Sequence, residues 1–340
     1  MAKRQLNSSI LFGRVVMKTR NLITIGILVI LGATSVGAMV AMYMDLSAQS
    51  SVPDFPGLGS IPSDCQFVFG VNVRKLVNSP AFSKLQAQPA GNDLSSFIEK
   101  TGVDPRRDVS YLIAGGRGGA QTRNEGVAIV SGTFSEDRIT AFIRLKSAPS
   151  EVQYAGSTVM MIPDPENGGM KNGIAFLNER EIAFGELESL KAVLDIKAKG
   201  NQSILSSETM APLIRSINSE EMFWFAGDAS GLLTRAPAAA AAPLRLSAAS
   251  IKSVVGTLNV TDAVTGRVTA TAFNPEAAIK LADAFRGIIA LGQLAGNEHP
   301  ELKALLGGLA VSQNSTQVSV DLAFSAELLD KLSRSRRIGQ

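Results

Sequence analysis

Residues 66–73 read Gln66-Phe67-Val68-Phe69-Gly70-Val71-Asn72-Val73. Phe67, Phe69, Val71 and Val73 occupy alternate positions, and alternate positions of a strand share one face. Gln317–Phe324 repeats the pattern with Val318, Val320, Leu322 and Phe324. Such alternation predicts strands with one buried and one solvated face, as in an antiparallel sheet backed by helices. Ser253–Val260 and Arg267–Phe273 flank Thr261–Gly266 and predict a hairpin.

Between the strands the apolar period changes to that of a helix. Ile139, Phe142 and Ile143 form one face; Leu187, Leu190 and Leu194 another; Met210, Leu213, Ile214 and Ile217 a third. The longest face runs through Ala278, Leu281, Ala282, Phe285, Ile288 and Ile289. A local signature marks the joints: a strand ends in Phe, a capping residue follows, and an acid opens the helix. It occurs as Phe134-Ser135-Glu136, Phe184-Gly185-Glu186, Phe273-Asn274-Pro275-Glu276 and Phe324-Ser325-Ala326-Glu327. Ser and Asn accept from first-turn amides, Pro fits the first helical position, and Glu faces the positive helix end. Phe67-Val68-Phe69-Gly70-Val71-Asn72 is echoed by Phe223-Trp224-Phe225-Ala226-Gly227-Asp228. The expected fold class is therefore α+β: mixed, mainly antiparallel sheet packed with helices, in two similar halves over 63–218 and 219–333.

Ahead of this body, Leu22 to Met44 is uncharged and apolar. As a helix it spans roughly 34 Å, enough for a bilayer core. Every charge before it is positive (Lys3, Arg4, Arg14, Lys18 and Arg20), and Asp45 follows it. The positive-inside rule then makes 1–21 a cytoplasmic basic segment, 22–44 a single transmembrane helix and the remainder extracytoplasmic. That topology suits the inner membrane of a bacterium, with the body in the periplasm. A cleaved signal peptide is the competing reading, but the run is long and its end, Met42-Tyr43-Met44, is bulky where cleavage needs small residues. Ala33, Gly37 and Ala41 form a small-xxx-small stripe that would let two such helices pair in a homodimer. The same residues also suit a span without a partner. Residues 45–62 have the Pro, Gly and Ser content of a linker, and 334–340 form a basic tail.

The composition narrows the function classes. Of 340 residues, 45% are apolar and 19% charged, which excludes wholesale disorder. The net charge of +3 misleads, because both ends are basic and residues 45–330 carry a net charge of about −6. A body of that sign lacks the clustered cations that phosphate backbones require, so no nucleic-acid partner is expected. A single Cys (Cys65) and a single His (His299) leave neither a disulfide framework nor a Cys- or His-based metal centre. No catalytic residue, cofactor site or metal site is therefore assigned.

Five local features merit comparison with known chemistry. Gly115-Gly116-Arg117-Gly118-Gly119 follows an apolar strand, as phosphate loops do, yet another strand follows it where a helix N-terminus is needed. It reads as a hairpin loop. Asp104-Pro105-Arg106-Arg107-Asp108 could offer an Asp pair, but the adjacent arginines favour a Pro turn with local ion pairs. Ser230 is not in a nucleophile elbow, and His299 stands in a polar break before Pro300. Cys65 reads as a small buried hydrophobe.

Ile61-Pro62-Ser63-Asp64 leading into a Phe-rich strand, then Thr101-Gly102-Val103-Asp104-Pro105-Arg106-Arg107-Asp108, Glu181-Ile182-Ala183-Phe184-Gly185 and Leu205-Ser206-Ser207 resemble, in order, uncharacterised bacterial single-pass envelope proteins. The resemblance covers about residues 60–230. It implies an extracytoplasmic bacterial protein and carries over no catalytic residue; an envelope protein is the expected partner. The expected function is membrane-anchored binding or scaffolding. The alternatives are a cell-envelope hydrolase working with carboxylates and a carrier of an apolar ligand.

Overall fold

A computed structural model describes residues 54–80, 101–117, 126–163, 170–229, 250–295 and 300–325, with Phe82, Ile98, Glu99 and Leu328. The expected span 22–44 with Ala33, Gly37 and Ala41, the segments 1–21 and 334–340, Ser230 and His299 lie outside the described residues. Among the described residues no helix is long and apolar enough to cross a membrane.

Twelve strands form one sheet: β1 (Phe67–Val71), β2 (Val109–Gly116), β3 (Gly126–Gly132), β4 (Ser150–Tyr154), β5 (Ser157–Pro163), β6 (Met170–Asn178), β7 (Glu181–Gly185), β8 (Phe223–Asp228), β9 (Ile251–Val260), β10 (Ala263–Ala272), β11 (Leu309–Asn314) and β12 (Gln317–Ser325). Their order is β11-β12-β10-β9-β8-β1-β2-β3-β7-β6-β5-β4. Every pairing is antiparallel. This corrects the expected fold class. Among the described residues the sheet is antiparallel throughout and there is no second sheet, and the two expected halves join in it, because β1 and β8 pair residue for residue from Phe67↔Gly227 to Val71↔Phe223. Outward from that seam the order is the same on both sides, β1-β2-β3-β7-β6 and β8-β9-β10-β12-β11, with the hairpin β4–β5 added at one edge. Backbone pairing between two edge strands satisfies every amide that separate halves would leave open.

Seven helices lie among the described residues: α1 (Val73–Val77), α2 (Pro105–Asp108), α3 (Glu136–Lys146), α4 (Leu187–Lys199), α5 (Met210–Arg215), α6 (Pro275–Ala295) and α7 (Pro300–Gly307). The Phe-cap-acid signature opens α3 and α6; at α4 the cap position is Glu186 itself, whose side chain makes no cap bond. Ser135 accepts from the Arg138 amide at 3.5 Å and Asn274 from the Ala277 amide at 2.8 Å. The main core joins Val68, Trp224, Ile113, Ile129 and Ala183 of the sheet to Leu190 and Leu194 of α4 and to Met210 and Ile214 of α5. On the opposite face α3 packs Ile143 against Met160, Ile174 and Ile182, and α6 packs Leu281 and Phe285 against Ala270 and Val318.

Covering both faces changes the reading of 66–73. Val68 is fully buried, while Phe67 and Phe69 are only half-buried on the other face, and Val73 belongs to α1. The hairpin turn is also tighter than expected: β9 and β10 run to Val260 and from Ala263, leaving Thr261-Asp262 between them. On α6 the buried face stops at Phe285, and Ile288 is exposed.

Gly70 sits opposite Trp224, and a Cβ there would come within 2.3 Å of the indole ring. Trp224 Nε1 donates to Tyr111 Oη at 2.6 Å, and the Phe55 ring packs on the indole at 4.5 Å. Gly70→Ala must displace this ring, so it should cost about 1–3 kcal/mol. Urea unfolding followed by the fluorescence of Trp224, the single tryptophan, measures this. Phe285→Ala should cost about 3–5 kcal/mol, whereas Lys280→Ala, on the exposed Glu276–Lys280 pair, should change stability by less than about 0.5 kcal/mol.

Candidate functional site

One end of β2, β3 and the β6–β7 turn forms the wall of an open cleft of about 630 Å³. Its lining includes Arg74, Arg107, Asp108, Ser131, Asn178 and Arg180. Local rules place each of these side chains. Asn72 caps α1 by accepting from the Lys75 amide at 3.0 Å, which sets Arg74 in the first turn. Asp104 caps α2 by accepting from the Arg106 amide at 3.0 Å, with Pro105 at the first helical position. Asp108 Oδ2 returns to accept from the Asp104 amide at 2.8 Å, which closes the turn. The Thr133 amide then donates to the Asp108 carbonyl at 2.8 Å. This approach needs Gly132, where a Cβ would stand 2.0 Å from that carbonyl oxygen. Across the cleft, Asn178 accepts from the Arg180 amide at 2.8 Å, and the Arg180 carbonyl accepts from the Gly132 amide at the same distance.

The charges in the cleft are unevenly satisfied. Arg107 forms a two-point pair with Asp108, Nε to Oδ1 at 2.8 Å and Nη2 to Oδ2 at 3.0 Å. Hydrogen bonding from Arg107, more than its charge, holds the Asp108 carboxyl below the usual carboxylate range. Asn178 Nδ2 donates to Glu181 Oε2 at 3.2 Å. Arg74 and Arg180 are exposed and have no ion pair among the described residues. Ser131 is 4% exposed, and its Oγ has no hydrogen-bond partner. Two unpaired guanidinium groups beside Ser110, Ser131 and Thr133 suit an anion with several oxygens, since Arg presents paired donors to carboxylate or phosphate.

Among the described residues no three Cys, His, Asp or Glu side chains stand close enough to share a metal. A second crevice, near Cys65, Asp64 and Arg117, holds about 10 Å³ and admits no ligand. Burial pushes the Cys65 thiol up to about 12, and neighbouring Asp64 adds to the shift. Glu221 is buried where Asn259 Nδ2 donates to it, and burial raises its carboxyl.

The sequence features map onto this geometry in part. Asp104–Asp108 is the ion-paired turn expected, and its Arg107 and Asp108 reach the cleft. Gly115 and Gly116 end β2 and pair with Val127 and Gly126 of β3, as a hairpin requires. Sequence reasoning missed Arg74, Arg180 and Ser131, which lie far apart in the chain and in no motif. The one local signal was Gly132, a glycine placed where two backbones meet.

No family model matches the sequence, and no curated protein matches it. Among solved structures, the chain is similar to TP0453 in crystal form I (TM-score 0.47, 9% identity, covering 84% of this chain and 98% of that one). It is similar also to crystal form IV of TP0453 (TM-score 0.45, 10% identity, 81% and 95% covered). Likeness at that level carries no argument about ligand or activity.

Two measurements test the electrostatics. A thiol with so high a pKa has little thiolate at neutral pH, so Cys65 should react with a disulfide reagent only after unfolding; rapid labelling of the native chain would contradict its burial. A carboxyl held low stabilises the fold above its unfolded value, about 4, and loses that contribution as pH falls through the folded value. The stability lost in Asp108→Asn should therefore be largest at neutral pH and shrink below about pH 4. Urea midpoints of parent and variant across pH measure it.

Proposed function

We propose that this chain is a binding protein, tethered to a bacterial inner membrane through residues 22–44 with its body outside the cytoplasm. Its cleft takes a small anionic group. The observation that carries this reading is the pair Arg74 and Arg180, two exposed cations in the cleft lining with no ion pair among the described residues. The cleft lining carries three arginines against two acids, Asp108 and Glu181, and an anion balances the excess positive charge. The positive charges before the apolar run and the acid after it support the orientation.

The hydrolase alternative is less favoured. A hydrolase of this kind needs one carboxyl with a raised pKa. In the cleft Asp108 is held below the usual carboxylate range by Arg107.

Titration calorimetry of the full chain in a neutral detergent with inorganic phosphate tests the reading. Saturable binding is expected, and Arg74→Ala or Arg180→Ala should each weaken it by roughly tenfold or more, the worth of a hydrogen bond to a charged group. Arg144→Ala, remote from the cleft and paired with Glu151, should leave binding unchanged. Equal losses in all three variants would reduce the effect to net charge and sink the site. An enzymatic reporter active only in the periplasm, fused after Gln340, checks the orientation.

A further inference from the structure

We infer that the anion taken by the Arg74–Arg107–Arg180 cleft is the phosphate of a membrane phospholipid, so that the body docks by this end on the membrane that tethers it. The inference rests on the reading above and deepens it. Its first support is where the tether meets the body. Pro56 lines the cleft, and its neighbour Phe55 is buried against Trp224 at 4.5 Å and Tyr111 at 5.9 Å. Gly57, at φ 87°, then passes over β3, where a Cβ would stand 2.8 Å from Ile129. The chain is thus pinned beside the cleft at the first residues described. From Met44, the last residue of the apolar run, to Asp54 there are ten peptide steps, which reach at most about 35 Å when fully extended. On the reading above, the tether keeps the chain's entry beside the cleft within about 35 Å of the bilayer.

The second support is the form of the site. A small free ligand is ordinarily enclosed, with most of its surface buried against apolar walls. This cleft is open at the surface, its lining largely Arg, Ser, Thr, Asn and acids, and Arg74, Thr133, Asn178 and Arg180 are all exposed. That form fits a group presented on a surface, gripped by its oxygens while the rest of the molecule stays outside. A phosphodiester headgroup offers two such oxygens to a guanidinium fork. Clustered cations near a membrane bind headgroups on the same principle. The acidic average charge of the body does not oppose this, since the field at the headgroup is set by charges within a Debye length, about 8–10 Å.

The test uses the full chain in nanodiscs of two compositions, phosphatidylglycerol and digalactosyl diacylglycerol, a bilayer-forming lipid without phosphate. Modification of arginines by phenylglyoxal is timed by peptide mass spectrometry, with and without added inorganic phosphate. Arg74 and Arg180 should react about tenfold more slowly in phosphatidylglycerol discs, while exposed Arg144 and Arg215 react equally in both. Slowing of all four would mean general shielding by an anionic surface and would overturn docking through the cleft. If inorganic phosphate protects Arg74 and Arg180 in digalactosyl discs but phosphatidylglycerol does not, the cleft binds a soluble anion and the lipid inference falls. If neither protects them, the anion-binding reading falls as well.

Discussion

Trp224 lies flat on β1 because residue 70 has no side chain, and much of the structure depends on that contact. The ring covers the seam where β1 and β8 pair, its Nε1 reaches Tyr111 on β2, and its other face receives Phe55. One side chain thus ties together three adjacent central strands and the segment that leads into them. A mirror of this device lies on the opposite face. There Phe225 rests over Gly256, where a Cβ would come within 2.2 Å of the ring. Glycines in a strand interior ordinarily weaken a sheet. Here they make room for aromatic rings on either side of β8, and the burial of those rings offsets the loss.

The seam also explains where the cleft can form. A sheet of twelve strands satisfies its backbone laterally, so its variable chemistry collects at strand ends, where chain leaves the ladder. At the end formed by β2, β3 and the β6–β7 turn, α1 and α2 add Arg74 and Arg107, and Gly132 allows the Asp104–Asp108 turn to press onto β3. Phe55, held by Trp224, brings the incoming chain to the same place. The central aromatic cluster and the cationic cleft are therefore coupled through Phe55-Pro56-Gly57: what anchors the core also sets the path past the site.

Strand and helix types were legible locally. The β-to-α joints were readable because each requires a cap, and a cap is specified by two or three neighbouring residues, as at Phe134-Ser135-Glu136 and Phe273-Asn274-Pro275-Glu276. The ion-paired turn at Asp104–Asp108 was readable for the same reason. Burial on β1 was not. Alternation assigns faces but does not say which faces are covered, and here helices stand on both. The end of the buried face on α6 was equally hidden, because Ile288 continues the period of Phe285 and only the extent of the sheet decides which is covered.

By itself the sequence determined the secondary-structure alphabet, the joints between elements, the acidic balance of the body and the lack of a thiol or imidazole cluster. Each of these is a property of composition or of residues a few positions apart. Only the tertiary structure decided that the two strand sets close edge to edge into a single sheet. Strand pairing is a matter of register between segments more than 150 residues apart, as Phe69↔Phe225 shows, and no local propensity encodes it. The same holds for the cleft. Arg74, Arg107 and Arg180 lie far apart in the chain, and what makes them a site is that they line one cleft and that two of them have no ion pair among the described residues. Those are facts of distance, which exist only once the chain has folded.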